Sequence, residues 1–482
     1  MRRRLAVAVT IAAVAPAAAL ALQLAAGPDP NAQAQADGCA RAGVPLSLRQ
    51  VPEWAYVGDK DAPASAPPPP PRWLSGAVNA RYDPSAAAAP ANIDNPFTHL
   101  SYDEGIDVRP DGAYAGLVGG DQAARTGNFA GHGDETARLH VEWEQRSLPL
   151  WAWPEPQDRL TVFGSWVWDC GHFTSGERTE LHPPSELWLV RHGLSPRSRA
   201  GEREGDLVVS NDSTPAFRQA QCAHQTKGNA AAFHGCVLTP GADRPPLTPN
   251  RFFLPEPSRP SAHAHMTVRV VDRGSVGRFR FRIDRAVGGV SVGFAPLGGG
   301  RIVVGRQVFV GWSPAPRPVH LRLRFLRLHV RDPLDPTSLR KDQVTTAPGE
   351  WLVYWDVAGI WRMWKPLVLL VNAGQTVRGQ QAVDFFVRPN ARWRLAVWTR
   401  ECDFGAAGNA YSTATPIYPC PRTSEFGDFI GDDDPGPVLV TGSTHGRSLG
   451  RHTVNASLRD STCPPSNRRG CYSLTYTVSR VR

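Results

Sequence analysis

The stretch Leu321-Arg322-Leu323-Arg324-Phe325-Leu326-Arg327-Leu328-His329-Val330 decides the fold. Its apolar residues fall on two interleaved faces with the two-residue period of a pleated strand, not the 3.6-residue period of a helix. The same alternation recurs in Leu139-His140-Val141-Glu142-Trp143-Glu144, in Met266 to Val271, in Arg278 to Ile283 and in Ser473 to Val478. Between these lie runs rich in β-branched and aromatic residues: Arg159–Trp168, Glu186–His192, Val304–Trp312, Trp351–Val357, Phe385–Val387 and Trp393–Trp398. Such residues suit a pleated surface. Glycine and proline number 45 each, more than the usual shares of about 7% and 5%, so the chain is punctuated by turns. Together these features predict an all-β protein. The expected organisation is a signal peptide (1–36), a Pro/Ala-rich and largely irregular linker (37–91), a β domain over 92–318, and a β-sandwich over 319–482. Both domains read as antiparallel and sandwich-like, and residues from about 201 to 260 read as an insertion or long loop.

The first residues carry an export pattern. Arg2, Arg3 and Arg4 precede an apolar stretch from Leu5 to Leu24, and Ala34-Gln35-Ala36 supplies small residues for a signal peptidase. Cleavage after Ala36 is expected, with Ala26 as a rival. An uncleaved anchor is the competing reading, against which stand Pro16 and the small-residue site. No later segment reads as a membrane span. The expected location is therefore outside the cytoplasm, secreted or on the exterior of the cell envelope, by a Sec-type route.

Cysteine usage agrees with that compartment. The eight cysteines (Cys39, Cys170, Cys222, Cys236, Cys402, Cys420, Cys463 and Cys471) are even in number, which favours disulfides. Short loops cost least closure entropy, so Cys222–Cys236, Cys402–Cys420 and Cys463–Cys471 are the expected local pairs, leaving Cys39 to Cys170. Cys170 as a free ligand or nucleophile is the alternative. No C-x-x-C is present, against a thiolate zinc site.

The formal charge is +9. Removal of the three leader arginines leaves a surplus of six. Without a dense basic run interleaved with aromatics, nucleic acid is not an expected partner; an extracellular or cell-wall ligand is.

One cluster could carry chemistry. Asp169, His172, Glu180 and His182 lie close together in sequence. Glu180 and His182, two apart on a strand, project to one face, and Gly171 permits a turn that brings Asp169 and His172 to them. Two imidazoles with carboxylates are the ligand set of a catalytic zinc or a facial-triad iron. Asp103, Asp107, Glu142 and Glu144 are expected outer partners or bases. The competing reading is a structural polar network at the rigid Pro183-Pro184 corner. Gly446-Arg447-Ser448-Leu449-Gly450 matches a nucleophile elbow in letters, but it lies between strands and lacks the required strand–turn–helix setting.

The segment Trp166-Val167-Trp168-Asp169-Cys170-Gly171-His172, followed by Glu180-Leu181-His182-Pro183-Pro184, resembles one found in uncharacterised secreted bacterial proteins. That resemblance implies an architecture and no mechanism. Residues 319–482 are similar in pattern to a C-two-type calcium-and-lipid-binding sandwich, through Asp332 and Asp335, Gly349-Glu350-Trp351, Glu401-Cys402-Asp403, the acidic loop Asp428 to Asp434, and Tyr472-Ser473-Leu474-Thr475-Tyr476. An immunoglobulin-like sandwich fits almost as well. The former would imply calcium at Asp428, Asp432, Asp433 and Asp434, set against a solvated acidic loop.

Three functions follow as expectations. The first is an extracellular binding or structural factor. The second is a metal-dependent hydrolase using zinc, iron or another divalent ion, and the third is a carbohydrate-binding protein that uses some of the 15 tryptophans. Whether the chain is an enzyme stays open at this level.

Overall fold

The structure is a computed structural model of the 482-residue chain. It describes residues 54–59, 62–78, 91–93, 104–118, 138–144, 148–169, 179–227, 229–239, 241, 243–334, 349–364, 369–401, 435–458, 461, 463–464, 466 and 468–482.

Strands dominate. In chain order they are β1 Trp54–Tyr56, β2 Arg72–Val78, β3 Ala91–Ile93, β4 Glu104–Pro110, β5 Leu139–Trp143, β6 Arg159–Asp169, β7 Thr179–Val190 and β8 Arg203–Ser210. Then come β9 Asn250–Pro255, β10 His265–Val276, β11 Phe279–Ala286, β12 Gly289–Pro296, β13 Val303–Ser313 and β14 Val319–Val330. The remainder are β15 Gly349–Val357, β16 Ile360–Met363, β17 Leu369–Val371, β18 Thr376–Arg378, β19 Ala382–Val387, β20 Arg392–Glu401, β21 Val438–Ser443, β22 Gly450–Asn455 and β23 Tyr472–Arg480.

Two helices, α1 Pro215–Thr226 and α2 Ala230–Leu238, fall in the stretch read as a long loop. α1 starts as the rules prescribe: Thr214 caps Phe217 N–H and Pro215 takes the first turn, where its missing N–H costs nothing. Its buried apolar residues are Ala216, Phe217, Ala220, Cys222 and Ala223, mostly small side chains that make a weak pattern in sequence. The 37–91 segment also departs from expectation, because β1 and β2 join the main sheet. Trp54 and Leu74 are fully buried there. Asp59 and the carbonyl of Ala66 meet the two ring nitrogens of His224 on α1, at 2.6 and 2.7 Å, which fastens the start of the proline run to the body.

The main sheet runs β1-β6-β2-β4-β5-β7-β8-β13-β10, and β6 also pairs with β7. Strands β6, β2, β4, β5 and β7 therefore return on themselves in a closed ring of pairings. Nearly every ladder is antiparallel; β5 with β7 is the parallel pair among the described residues. At the β6–β7 bend, Gly164 faces Pro184, and a Cβ there would lie 2.6 Å from the proline Cα. Only glycine allows that approach.

One face of this sheet packs through Leu74, Ile106, Val141, Leu160, Val162 and Leu181 onto Tyr354, Trp361 and Trp398 of the C-terminal strands. Those strands form two sheets, β18-β14-β23-β22 and β16-β15-β20-β21. Their shared core holds Leu321, Leu323, Phe325, Trp351, Trp355, Leu395, Leu474 and Tyr476. The sheet containing β15 is thus covered on both sides, which is why Trp351-Leu352-Val353-Tyr354-Trp355 is apolar throughout rather than alternating.

The two faces seen in β14 have a simple origin. Leu321, Leu323 and Phe325 point inward, then the pairing with β23 slips between Phe325 and Arg327, and Leu328 and Val330 point inward instead. A β-bulge at Leu326 shifts the phase by one residue. The remaining sheet, β11-β12-β9, covers the second face of the main sheet through Trp188, Phe252, Val292 and Phe294.

Cys222–Cys236 joins α1 to α2, and Cys463–Cys471 closes the loop before β23, each with Cα atoms 5.7 Å apart. No cysteine among the described residues is free. Cys39, Cys170, Cys402 and Cys420 lie outside the described residues. No helix among the described residues is long and apolar enough to cross a membrane.

Candidate metal centre

Strand β5 alternates His140, Glu142 and then Glu144 just beyond its end on one face, with Leu139, Val141 and Trp143 on the other. Its parallel pairing with β7 puts His140 beside Glu180 and Val141 beside Leu181. On β7 the acid face continues to His182. On the other side of β5, β4 places Asp107 opposite His140. Three strands thus bring six ionisable side chains onto one patch.

His140 bridges two carboxylates: Nδ1 lies 2.9 Å from Asp107 Oδ1, and Nε2 lies 2.9 Å from Glu142 Oε1. A ring with an acid at each nitrogen is a double donor, which is the imidazolium form. His182 Nδ1 lies 2.8 Å from Glu142 Oε2 and 3.0 Å from Glu180 Oε1, and its Nε2 lies 3.5 Å from Glu144 Oε2. Burial disfavours charge on both rings, yet the surrounding carboxylates outweigh it and hold both well above the usual histidine range. Burial likewise opposes the Glu142 carboxylate, and the charge on His182 and the bonds from both rings hold it well below the usual range.

The patch is roofed. Trp54 of β1 meets His182 edge-on, with centroids 4.8 Å apart. Ala216 and Ala220 of α1 pack on Trp54, Tyr56 and Val167. The backbone N–H of Ala216, at the start of α1, donates to Glu144 at 3.2 and 3.4 Å, where the helix dipole favours an anion. Glu142, Glu144, Glu180 and His182 are all buried. Only the His140–Asp107 edge reaches the surface, with side chains 20% and 33% exposed.

His140, Glu142 and Glu180 each offer a ligand atom, and these lie within 4.8 Å of one another. One imidazole and two carboxylates suit zinc or a non-haem iron, and the hard oxygens also admit other divalent ions. Of the residues expected from sequence, Glu180 and His182 meet here, joined by Glu142, Glu144 and Asp107. Asp169 ends β6, its backbone paired with Trp54. His172 and Asp103 lie outside the described residues, as do Asp428, Asp432, Asp433 and Asp434 of the expected calcium loop. His140 is the candidate ligand that sequence reading misses. The available signal is the pairing of His-x-Glu-x-Glu on one strand with Glu-x-His on another, both set among apolar residues.

No family model matches this chain, and no curated protein matches it. Solved structures similar to it include a C-two domain of plant extended synaptotagmin 1, at 11% identity and a TM-score of 0.19, covering 35% of this chain and 99% of that domain. A pair of C-two domains from extended synaptotagmin 2 gives 9% identity and a TM-score of 0.19, over 63% of this chain and 76% of theirs. A likeness of this extent carries no argument about this chain.

Proposed function

We propose that this chain is an exported, disulfide-bonded β protein whose work is binding, and that a divalent metal ion held by His140, Glu142 and Glu180 braces the sheet on which its binding surfaces are built. The supporting observation is the convergence of three ligand atoms within 4.8 Å from two neighbouring strands. The basic, apolar and small-residue order of the first 36 residues, together with two disulfides, supports export. His182 acts as an outer partner that orients the two glutamates, and Glu144 stands behind it at its other ring nitrogen. Near-complete burial of the glutamates favours a bracing role, since catalytic sites keep a position open for water. The partial exposure of His140 and Asp107 supports a second reading, a metal-dependent hydrolase worked from that edge.

Metal analysis of the secreted protein, purified without chelator, tests the site. About one equivalent of zinc or iron is expected, falling below about a tenth in His140→Ala. Wild-type protein holding no metal overturns the centre. Chelator-insensitive inertness toward ester and phosphoester substrates, in metal-replete protein, removes the hydrolase reading.

A further inference from the structure

The excess positive charge of this chain is concentrated in one small region. Residues 250–306 contain ten arginines against Glu256, Asp272 and Asp284, a surplus of seven where the whole chain has nine. Within this stretch Arg251, Arg278, Arg280, Arg282 and Arg285 lie on or beside the β11-β12-β9 sheet, and the other five arginines lie outside it. The inner face of the sheet is apolar and buried, through Phe252, Leu254, Val290, Val292 and Phe294. On the outer face the register sets Arg282, Gly293 and Arg251 side by side across the three strands, with Arg280 beside Ala295 and Phe253 beside Ser291. The central strand therefore shows only small residues, and a Cβ on Gly293 would meet nothing nearer than 3.7 Å. The result is a shallow trough walled by guanidinium groups. Arg282 shares its charge with Asp284 at 2.6 Å. Arg251, Arg278, Arg280 and Arg285 make no ion pair among the described residues.

The trough opens sideways into a groove of about 520 Å³ between β9 and the main sheet. Trp73, Phe252 and Phe253 line it with Thr161, Asn250 and Arg251. Phe253 is 47% exposed. Arg251 and Phe253 belong to both surfaces, so trough and groove form one continuous site.

We infer that this site binds an anionic polysaccharide, with uronate carboxylates or sulfates on the arginines and a sugar ring in the aromatic groove. Guanidinium forks match carboxylate and sulfate oxygens in pairs. Aromatic faces accept the C–H faces of sugar rings, and hydroxyl and amide groups serve both donor and acceptor roles toward sugar hydroxyls. A nucleic-acid surface would need several exposed rings among its arginines for base stacking, and Phe253 is the single aromatic on the outer face among the described residues. The inference names the ligand class of the binding role proposed above. It rests on export and is independent of the metal centre, so metal-free protein can still bind the polymer, and loss of polymer binding leaves metal content unchanged.

The test is affinity electrophoresis of the full secreted chain through gels containing polygalacturonate, with dextran, polyglutamate, duplex DNA and phosphatidylserine vesicles in parallel assays. Retardation by polygalacturonate is expected, weakening as salt rises. The surface triple variant Arg251→Ser/Arg280→Ser/Arg282→Ser should bind at least about tenfold more weakly, because its charge-assisted bonds to the polymer are lost. Phe253→Ala, which leaves charge untouched, should weaken polygalacturonate binding and spare the residual binding to polyglutamate. No retardation by polygalacturonate overturns the inference, and so does unchanged binding by the triple variant. Equal or tighter binding to polyglutamate, DNA or vesicles overturns it as well, by assigning the arginines to another polyanion.

Discussion

Two buried ionic clusters sit on the same sheet and solve the same problem differently. At one, Arg191 spans Asp206 at 2.8 Å and Asp158 at 3.1 Å, and gives its remaining N–H groups to the carbonyls of Trp151 and Trp153, both at 2.6 Å. Arg197 and Ser195 satisfy Glu204, and Gln307 bridges Glu204 to Asp206. At the other, three glutamates and an aspartate share two imidazoles. Both clusters are nearly closed to solvent. The difference lies in the cations. Guanidinium is permanently charged, offers five donors in a rigid fork and cannot give up its proton. Imidazole can lose a proton and become a metal ligand. The arginine cluster is therefore a fixed structural lock. It also reaches the C-terminal strands, since Arg197 donates to the carbonyl of Gly359 at 3.0 Å, and Arg394 holds both Glu155 and Asp356. The histidine cluster is the one able to exchange protons for a metal ion.

The largest effect is expected where the comparison is most absolute. Arg191→Met leaves Asp158 and Asp206 buried without their cation and should cost about 3–5 kcal/mol in urea unfolding, with no change in bound metal per folded chain. A loss near zero would mean that the arginine cluster is no lock. Next, chelation should lower the stability of wild-type protein by about 3 kcal/mol relative to metal at a hundredfold excess over its dissociation constant. His140→Ala should show no such response in thermal melts. Equal responses from the two proteins would make the histidine cluster as inert as the arginine one.

A third buried acid sharpens the contrast, because it has neither arginine nor imidazole. Among the described residues Glu186, at the β7 bend, accepts only from Thr248, at 2.7 Å from its backbone N–H, and its other oxygen is buried with no partner among them. Burial pushes its carboxyl from the ordinary 4.5 up to about 7, against the pull of the Thr248 bonds. The native state then keeps a proton that the unfolded chain releases. Its contribution is full below about 4.5 and is lost as pH rises to about 7. Glu186→Gln should flatten that slope, worth about 3 kcal/mol, in unfolding curves taken at about pH 4.5 and about pH 7.5. An unchanged slope would assign the titration elsewhere.

Local chemistry makes the strands and two of the disulfides legible. Alternation with period two is written in consecutive residues, and cysteines 14 and 8 positions apart close cheaply. Glu180 and His182 are visible as a pair because a strand sends every second side chain to one face. Where sequence reading fails, the controlling contact is distant. The 37–91 segment contributes strands because Trp54 and Leu74 find partners in β6, far along the chain. In sequence His140 is one polar position of an alternating strand, and only the cover that β1 and α1 lay over that face makes it part of a buried site.

By itself, the sequence determined that this chain folds as pleated strands and which side chains share a strand face, because backbone sterics and side-chain period act over a few residues. Only the tertiary structure decided that β5 lies parallel beside β7, bringing His140 to Glu180 across 40 residues of chain. Strand neighbourhood is set by the burial of whole sheets against one another, and no short window of residues encodes it.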